Sequence, residues 1–247
     1  MAIRFLTPNL IDTATMSAST TGTGYPASNV QNPLIARKWR TTGVGASEWV
    51  KATFSGAVAV TACVIIGHDL TAGDSAIVLQ WSNNDADWTT AATFTWNAGN
   101  MTAFIVSASH QYWRVAFTKS AAAQIRNIGR LFLGVYVEPE RGLPFGWTRS
   151  KVDLSTKQRS ASGAIFSDVR PKFWKVDFEI RHEPIATFST LSTAVKDLGV
   201  GTDLCVCIDA SSANGDNTIY GHLAEPWNET ESMLNYRSAS FSVEEDI

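Results

Sequence analysis

Ile77-Val78-Leu79-Gln80-Trp81-Ser82-Asn83-Asn84-Asp85-Ala86-Asp87-Trp88 is the stretch whose reading decides the fold. Its first five residues form a short run rich in β-branched and aromatic side chains, entered from a Gly73-Asp74 turn signal. The Asn and Asp residues that follow bond to their own backbone and end a strand. Working outward, the same unit recurs. Upstream, Ile3–Leu6 opens the chain, and Trp49–Phe54 alternates apolar and polar as a half-buried strand does. Val58–Ile66 is a nearly continuous apolar run, which fits a strand covered on both faces. Downstream come Ala92–Trp96, Met101–Val106, Tyr112–Phe117 and Ile128–Val137. Turn residues separate them at the roughly 8–12 residue spacing of a sandwich or barrel. No long helical period precedes Glu138, so residues 1–137 are expected to form one all-β domain.

The pattern changes after that point. Glu138–Phe145 holds two prolines and a glycine and reads as a linker or exposed crossover, with a loop inside one domain as the alternative. Residues 146–247 are expected to form a second domain. Ser150–Gln158 and Ser160–Val169 read as a hairpin about Arg159. Phe173–Ile180 alternates cleanly, with Lys175, Asp177 and Glu179 on a wet face. Ile185, Phe188, Leu191, Ser192, Val195 and Leu198 place a stripe on one side of a helix that Gly199 stops. Leu204–Ile208 and Thr218–Ala224 are strands joined through the Asn214–Asn217 turn, and Ser238–Val243 alternates again. The expected fold is mainly β: a β-sandwich followed by a smaller α+β domain with one amphipathic helix.

Composition narrows the function. The 247 residues carry 20 Lys and Arg against 23 Asp and Glu, and 45% are hydrophobic. That apolar content excludes a disordered chain. The slight acidity argues against nucleic-acid binding, which needs clustered cations. No run approaches the roughly 18–20 apolar residues of a membrane-spanning helix, so no membrane insertion is expected. The first ten residues do not resemble a secretory signal. Cys63, Cys205 and Cys207 make no disulfide framework, and the last two share one face of a strand.

Catalytic motifs are missing. His68, His110, His182 and His222 have no metal-ligand spacing, and there is no Gly-x-Ser-x-Gly elbow or phosphate loop. No cofactor, metal or enzymatic activity is expected. Asp69, Asp74, Asp85 and Asp87 are candidate carboxylates but read as turn residues. For ligand binding, His68 and Asp69 follow the buried strand and belong at a loop mouth. A pyranose stacks its C–H face on an exposed ring, and Tyr25, Trp88 and Trp96 are the best-placed rings: Tyr25 in a Gly/Pro loop, the tryptophans at strand ends.

Several segments together resemble a known family. Ala27-Ser28-Asn29-Val30, Trp39-Arg40-Thr41-Thr42 and Glu48-Trp49-Val50 are similar to the opening of a discoidin, or coagulation-factor type C, module. Ile77–Trp88 resembles its strand, turn and following Trp, with Ala86 in place of the usual turn Gly. Gln111–Val115 and Ile128–Leu133 resemble its later strands. The resemblance covers about residues 25–135, without the family's flanking cysteine pair. It implies a galactose-binding-like jelly-roll, and no sugar or calcium site transfers with it.

The whole chain, with Gly67-His68-Asp69-Leu70 in the first domain, is similar to tail-tip proteins of long-tailed bacteriophages. Ser150–Ile180 resembles elements of tail-tube-like ring proteins, although distal tail proteins usually carry the ring-forming domain first. This resemblance implies a structural tail-tip or baseplate component located in the virion tail and made in the host cytoplasm. Its partners would be other copies of itself, tail tube and tail-tip hub proteins, and host cell-surface carbohydrate. The alternatives are a stand-alone carbohydrate-binding module protein and a carbohydrate-active enzyme.

Overall fold

Alternating residues in two long strands lay down the first half. The computed structural model describes residues 1–247. Its first ten strands are β1 (Arg4–Leu6), β2 (Thr15–Ala18), β3 (Trp39–Arg40), β4 (Ser47–Ile66), β5 (Ser75–Ser82), β6 (Thr89–Thr93), β7 (Met101–Thr118), β8 (Asn127–Ile128), β9 (Arg130–Gly134) and β10 (Tyr136–Val137). β11 (Thr148–Asp153), β12 (Thr156–Arg159), β13 (Ile165–Asp168) and β14 (Lys172–Pro184) follow, then helix α1 (Ile185–Val195). β15 (Asp203–Cys207), β16 (Thr218–Leu223), β17 (Asn228–Met233) and β18 (Tyr236–Glu245) complete the chain.

β4 and β7 pair antiparallel, with Trp49 opposite Ala116 and Ile65 opposite Met101. Two expected strands merge in each of them, because the chain runs through irregular pairing between Thr53 and Val58 instead of turning. β5 and β6 extend this sheet from β7, while β2 and β9 pair with β4. Val50, Ala52 and Phe54 meet Ile77, Leu79, Trp113, Val115 and Phe117 inside, and Trp39 and Val30 close the core from the other side. The run from Val60 to Ile66 is covered on both faces, as its composition requires. Cys63 and Ile65 face the sandwich core, whereas Ala62, Val64 and Ile66 face a second sheet.

That sheet has the order β10-β1-β15-β16-β18-β14-β11, with β17 added on β18. One face takes α1, whose Phe188, Leu191 and Val195 pack among Phe5, Phe178, Val206 and Phe241. Part of the other face takes the sandwich, where Leu6, Cys205, Cys207 and Tyr220 meet Ala62, Val64, Ile66 and Phe132. The three cysteines are free and buried, with Cys205 and Cys207 side by side on the seam.

Two strands of the expected first domain, residues 1–137, join the second sheet. β1 is not a sandwich strand: it pairs with β15, Phe5 opposite Val206, and β10 pairs with β1. The cause is apolarity on both sides, since Phe5 serves the helix-side core and Leu6 the seam. Nor is Glu138–Phe145 a free linker. The buried Glu183 carboxylate accepts from the N–H groups of Glu140 (2.6 Å) and Arg141 (3.2 Å), and Leu143 is buried in the second core.

A buried guanidinium locks the seam. Arg130 in β9 is fully shielded from solvent; it donates to Asp12 at 2.5 and 2.9 Å, to Asp203 of β15 at 2.6 Å, and to the Gln31 carbonyl. The Tyr220 hydroxyl donates to the same Asp203 oxygen at 2.8 Å. Burial works against the Asp203 charge, but Arg130 and Tyr220 outweigh it and hold the carboxyl below the usual carboxylate range. Removing one member of such a cluster strands the others. Arg130→Ala is expected to destabilise the chain by about 3–5 kcal/mol, read as a lowered urea midpoint. A loss under about 1 kcal/mol would contradict this account of the seam.

Candidate functional site

The loops at one rim of the sandwich gather most of the candidate residues. Gly22–Tyr25 is a turn closed by Tyr25 N–H donating to the Gly22 carbonyl at 2.9 Å. Gly24 supplies its positive φ of 82°. Gly22 and Arg40 are joined through the backbone at 2.8 Å, which brings the turn against β3. The Arg40 guanidinium lies 3.7 Å from the Tyr25 ring centroid and donates through Nε to Asn127 Oδ1 at 2.8 Å. Asn127 in turn donates its backbone N–H (2.6 Å) and its side-chain amide to Asp69. Tyr25, Arg40, Asn127 and Asp69 are therefore one connected series.

His68 sits beside them. Its Nε2 lies 2.9 Å from the Gly99 carbonyl, so Nε2 carries the proton, and its shielded Nδ1 has no protein partner. Burial pushes this imidazole below its usual value and nearby Lys38 adds to that, against the Gly99 bond and the Asp69 charge. Trp96 is anchored on the same stretch, donating Nε1–H to the Leu70 carbonyl at 3.0 Å while remaining partly exposed. Trp88 does not belong to this group. It lies over Arg114 at 4.0 Å on the outer side of the main sheet, where Arg114 also bonds Gln80.

An open cleft of about 420 Å³ is lined by Gly24, Tyr25, Asn29, Ala36, Arg37 and Lys38. Asn29 holds the rim by donating Nδ2–H to the Lys38 carbonyl at 2.9 Å. Arg37, Lys38 and Arg40 have no carboxylate within ion-pair distance (a pairing found for many other cations of the chain), so an aromatic ring here stands among three unpaired positive charges. Reading rings and carboxylates in the sequence missed these cations. The signal was Arg37-Lys38 directly before the Trp39-Arg40 strand.

Each candidate carboxylate has a protein partner. Asp69 holds Asn127, Asp85 pairs with Lys51 at 2.7 Å, and Asp87 accepts from Asn84 at 2.7 Å. Asp74 takes a bidentate grip from Arg126 at 2.7 and 3.0 Å and accepts the Thr71 and Ser120 N–H groups at 2.7 and 2.9 Å. Burial opposes the Asp74 charge, but these donors outweigh it and hold the carboxyl at about 2. Glu48 and Lys119 form a second shielded pair at 3.1 Å nearby. These pairs bind loops to the sandwich.

No family model and no curated protein matches the chain. Solved structures do, each over about half of it. Chitosan-binding module 2 of a chitosanase/glucanase from Paenibacillus sp. IK-5, in complex with chitotriose, is 19% identical with a TM-score of 0.46, over 51% of this chain and 100% of that one. A module from Clostridium perfringens in complex with GalNAc-β-1,3-galactose is 10% identical with a TM-score of 0.43, over 52% and 100%. A GH29 fucosidase of Ruminococcus gnavus in complex with fucose is 12% identical with a TM-score of 0.45, over 51% and 26%.

Two titrations check the electrostatics. His68 is expected to titrate below about 6.5 in proton NMR; a value at or above that contradicts its burial. Because its folded value is depressed, its contribution to stability is present above about 6.5 and falls away at lower pH. The Asp74 contribution is present above about 4 and is lost as pH falls through about 2. Asp74→Asn is expected to flatten the acid limb of an unfolding profile across that window.

Proposed function

We propose that this protein binds carbohydrate without chemically altering it, and that the cleft beside Tyr25 is where a saccharide rests. The observation that carries this reading is the Tyr25 ring in a cleft edged by Asn29, Arg37 and Lys38, with Arg40 stacked on the ring. A ring supplies a flat apolar surface for sugar C–H groups, and amide and cationic side chains supply hydrogen bonds to hydroxyls. Three cations without carboxylate partners favour a saccharide bearing carboxylate or sulfate groups, through charge-assisted bonds. His68, Asp69 and Trp96 frame the same rim, and Trp88 lies outside it.

A second reading is favoured by a different feature. The two-stranded extension β12–β13 is exposed along its whole length, as suits a subunit that meets neighbours. It supports a structural role in a phage tail tip, with tail tube and hub proteins as partners and the virion tail as location. The saccharide cleft would then contact host-surface glycan.

Titration calorimetry against neutral and acidic oligosaccharides tests the main reading. Binding is expected for an acidic member, and Tyr25→Ala is expected to weaken it by about 1–3 kcal/mol. Lys38→Ala should weaken it further as salt is lowered, relative to the native chain. Trp88→Ala should leave it unchanged. A panel of such saccharides with no binding at millimolar concentration would overturn the proposal.

A further inference from the structure

Four exposed apolar side chains of the second half lie on one hairpin. β11 pairs with β14 from Thr148 opposite Asp177 to Asp153 opposite Lys172. β12 and β13 continue the same hairpin, Thr156 opposite Asp168 and Arg159 opposite Ile165. The step between the two parts lies at Asp153, which accepts the Ser155 N–H at 2.9 Å, and at Pro171. From Leu154 to the tip near Ser162 the arm reaches about 26 Å. Leu154, Ile165, Phe166 and Val169 are all more than half exposed on it. An isolated two-stranded hairpin is marginal in water, and exposed apolar side chains on it gain nothing from solvent.

The arm is also basic. Residues 148–172 hold six Lys or Arg and two Asp, a net charge of +4 in a chain of −3. At its distal part, Lys157 and Arg159 have no carboxylate partner.

The complementary surface is a groove of about 350 Å³ on the same sheet, lined by Phe145, Trp147, Asp177, Glu179, Arg181 and Glu225. Phe145 stands fully exposed at its lip. Arg181 pairs with Glu179, which leaves Asp177 and Glu225 without a cation. The groove lies where β14 runs from Asp177 to Arg181, whereas the arm grows from the other end of that strand, away from Lys172. A chain's arm therefore points away from its own groove.

We infer that the arm of one copy docks in the acidic, Phe145-edged groove of a second copy, joining chains head to tail. Left unreciprocated, such a contact is heterologous and builds a closed ring or an open filament. It deepens the assembly reading above and uses no residue of the saccharide cleft, so either can fail while the other stands.

Sedimentation velocity of the full chain up to about 0.3 mM tests it. The native chain is expected to self-associate, more strongly at low salt. The arm variant I165D/F166D and the groove variant D177K/E225K should each associate at least about tenfold more weakly, with unchanged circular dichroism. Mixed in equal amounts, they should form a one-to-one complex and nothing larger, because one intact arm and one intact groove remain. A chain carrying D177K/E225K together with K157E/R159E should regain association. A native chain that stays monomeric, either variant associating like the native chain, or a mixture that stays monomeric would overturn the inference.

Discussion

Arg130 is where the two halves of the molecule become one object. Its guanidinium gathers a carboxylate from the first turn of the chain, a carbonyl from the loop before β3 and a carboxylate from β15. A charge buried this way adds little net stability, because desolvation offsets most of the attraction. What it fixes is position. Gln31, held by Arg130, and Pro33, whose carbonyl lies 3.1 Å from the Tyr220 hydroxyl, lead directly into Arg37, Lys38 and Arg40. The rim of the candidate cleft is thus set by the second sheet as much as by the sandwich that carries it. Apolar packing of Ala62, Val64, Ile66 and Phe132 against Leu6 and Tyr220 supplies the bulk of the seam, and the ion cluster sets its register.

A near-neutral total charge conceals strong local separation. Buried pairs such as Glu48 with Lys119 and Asp74 with Arg126 consume opposite charges inside the sandwich. Unpaired cations gather around Tyr25 and along the arm. The slight acidity that argues against nucleic acid is an average and says nothing about those places. The proposed roles rest on where charges were left unpaired, which a sum cannot report.

Much of the fold was legible because period-two alternation is a local property. Ile77–Trp81 forms a strand, and Asn84 closes the turn after it by accepting the N–H groups of Ala86 and Asp87 at 3.0 and 2.9 Å. Asp85 takes the positive φ of 60° there, so Ala86 does not have to. The helix stripe was equally readable: Phe188, Leu191 and Val195 are its buried residues. Strand partners were not legible, since alternation states that Ile3–Leu6 is a strand and nothing about which sheet holds it. Exposure was hidden for the same reason. Ile165-Phe166 reads like any buried pair, and only the three-dimensional arrangement shows a hairpin with no sheet above or below it. At the cleft, Tyr25 was legible as a ring in a Gly/Pro loop, but its cations were not, because Arg40 reaches it through backbone hydrogen bonds and a stacking contact, not through sequence proximity.

The arm and the cleft make complementary demands on the same chain. A shallow, open cleft built on one tyrosine would bury little of any saccharide, so a single copy would bind it weakly. Joining copies through arm and groove, as proposed, would place several clefts on one particle, and binding at the second site would become intramolecular, with an effective concentration set by their spacing. That gain requires rigid connection between the element that assembles and the element that binds. The seam provides it: β14, which carries both arm and groove, shares a sheet with β15, and β15 holds Asp203 against Arg130 at the foot of the loop that leads to the cleft. A flexible tether between the halves would have let each cleft wander. With both proposals in place, the buried ion cluster would let an assembly surface on one half order a binding surface on the other.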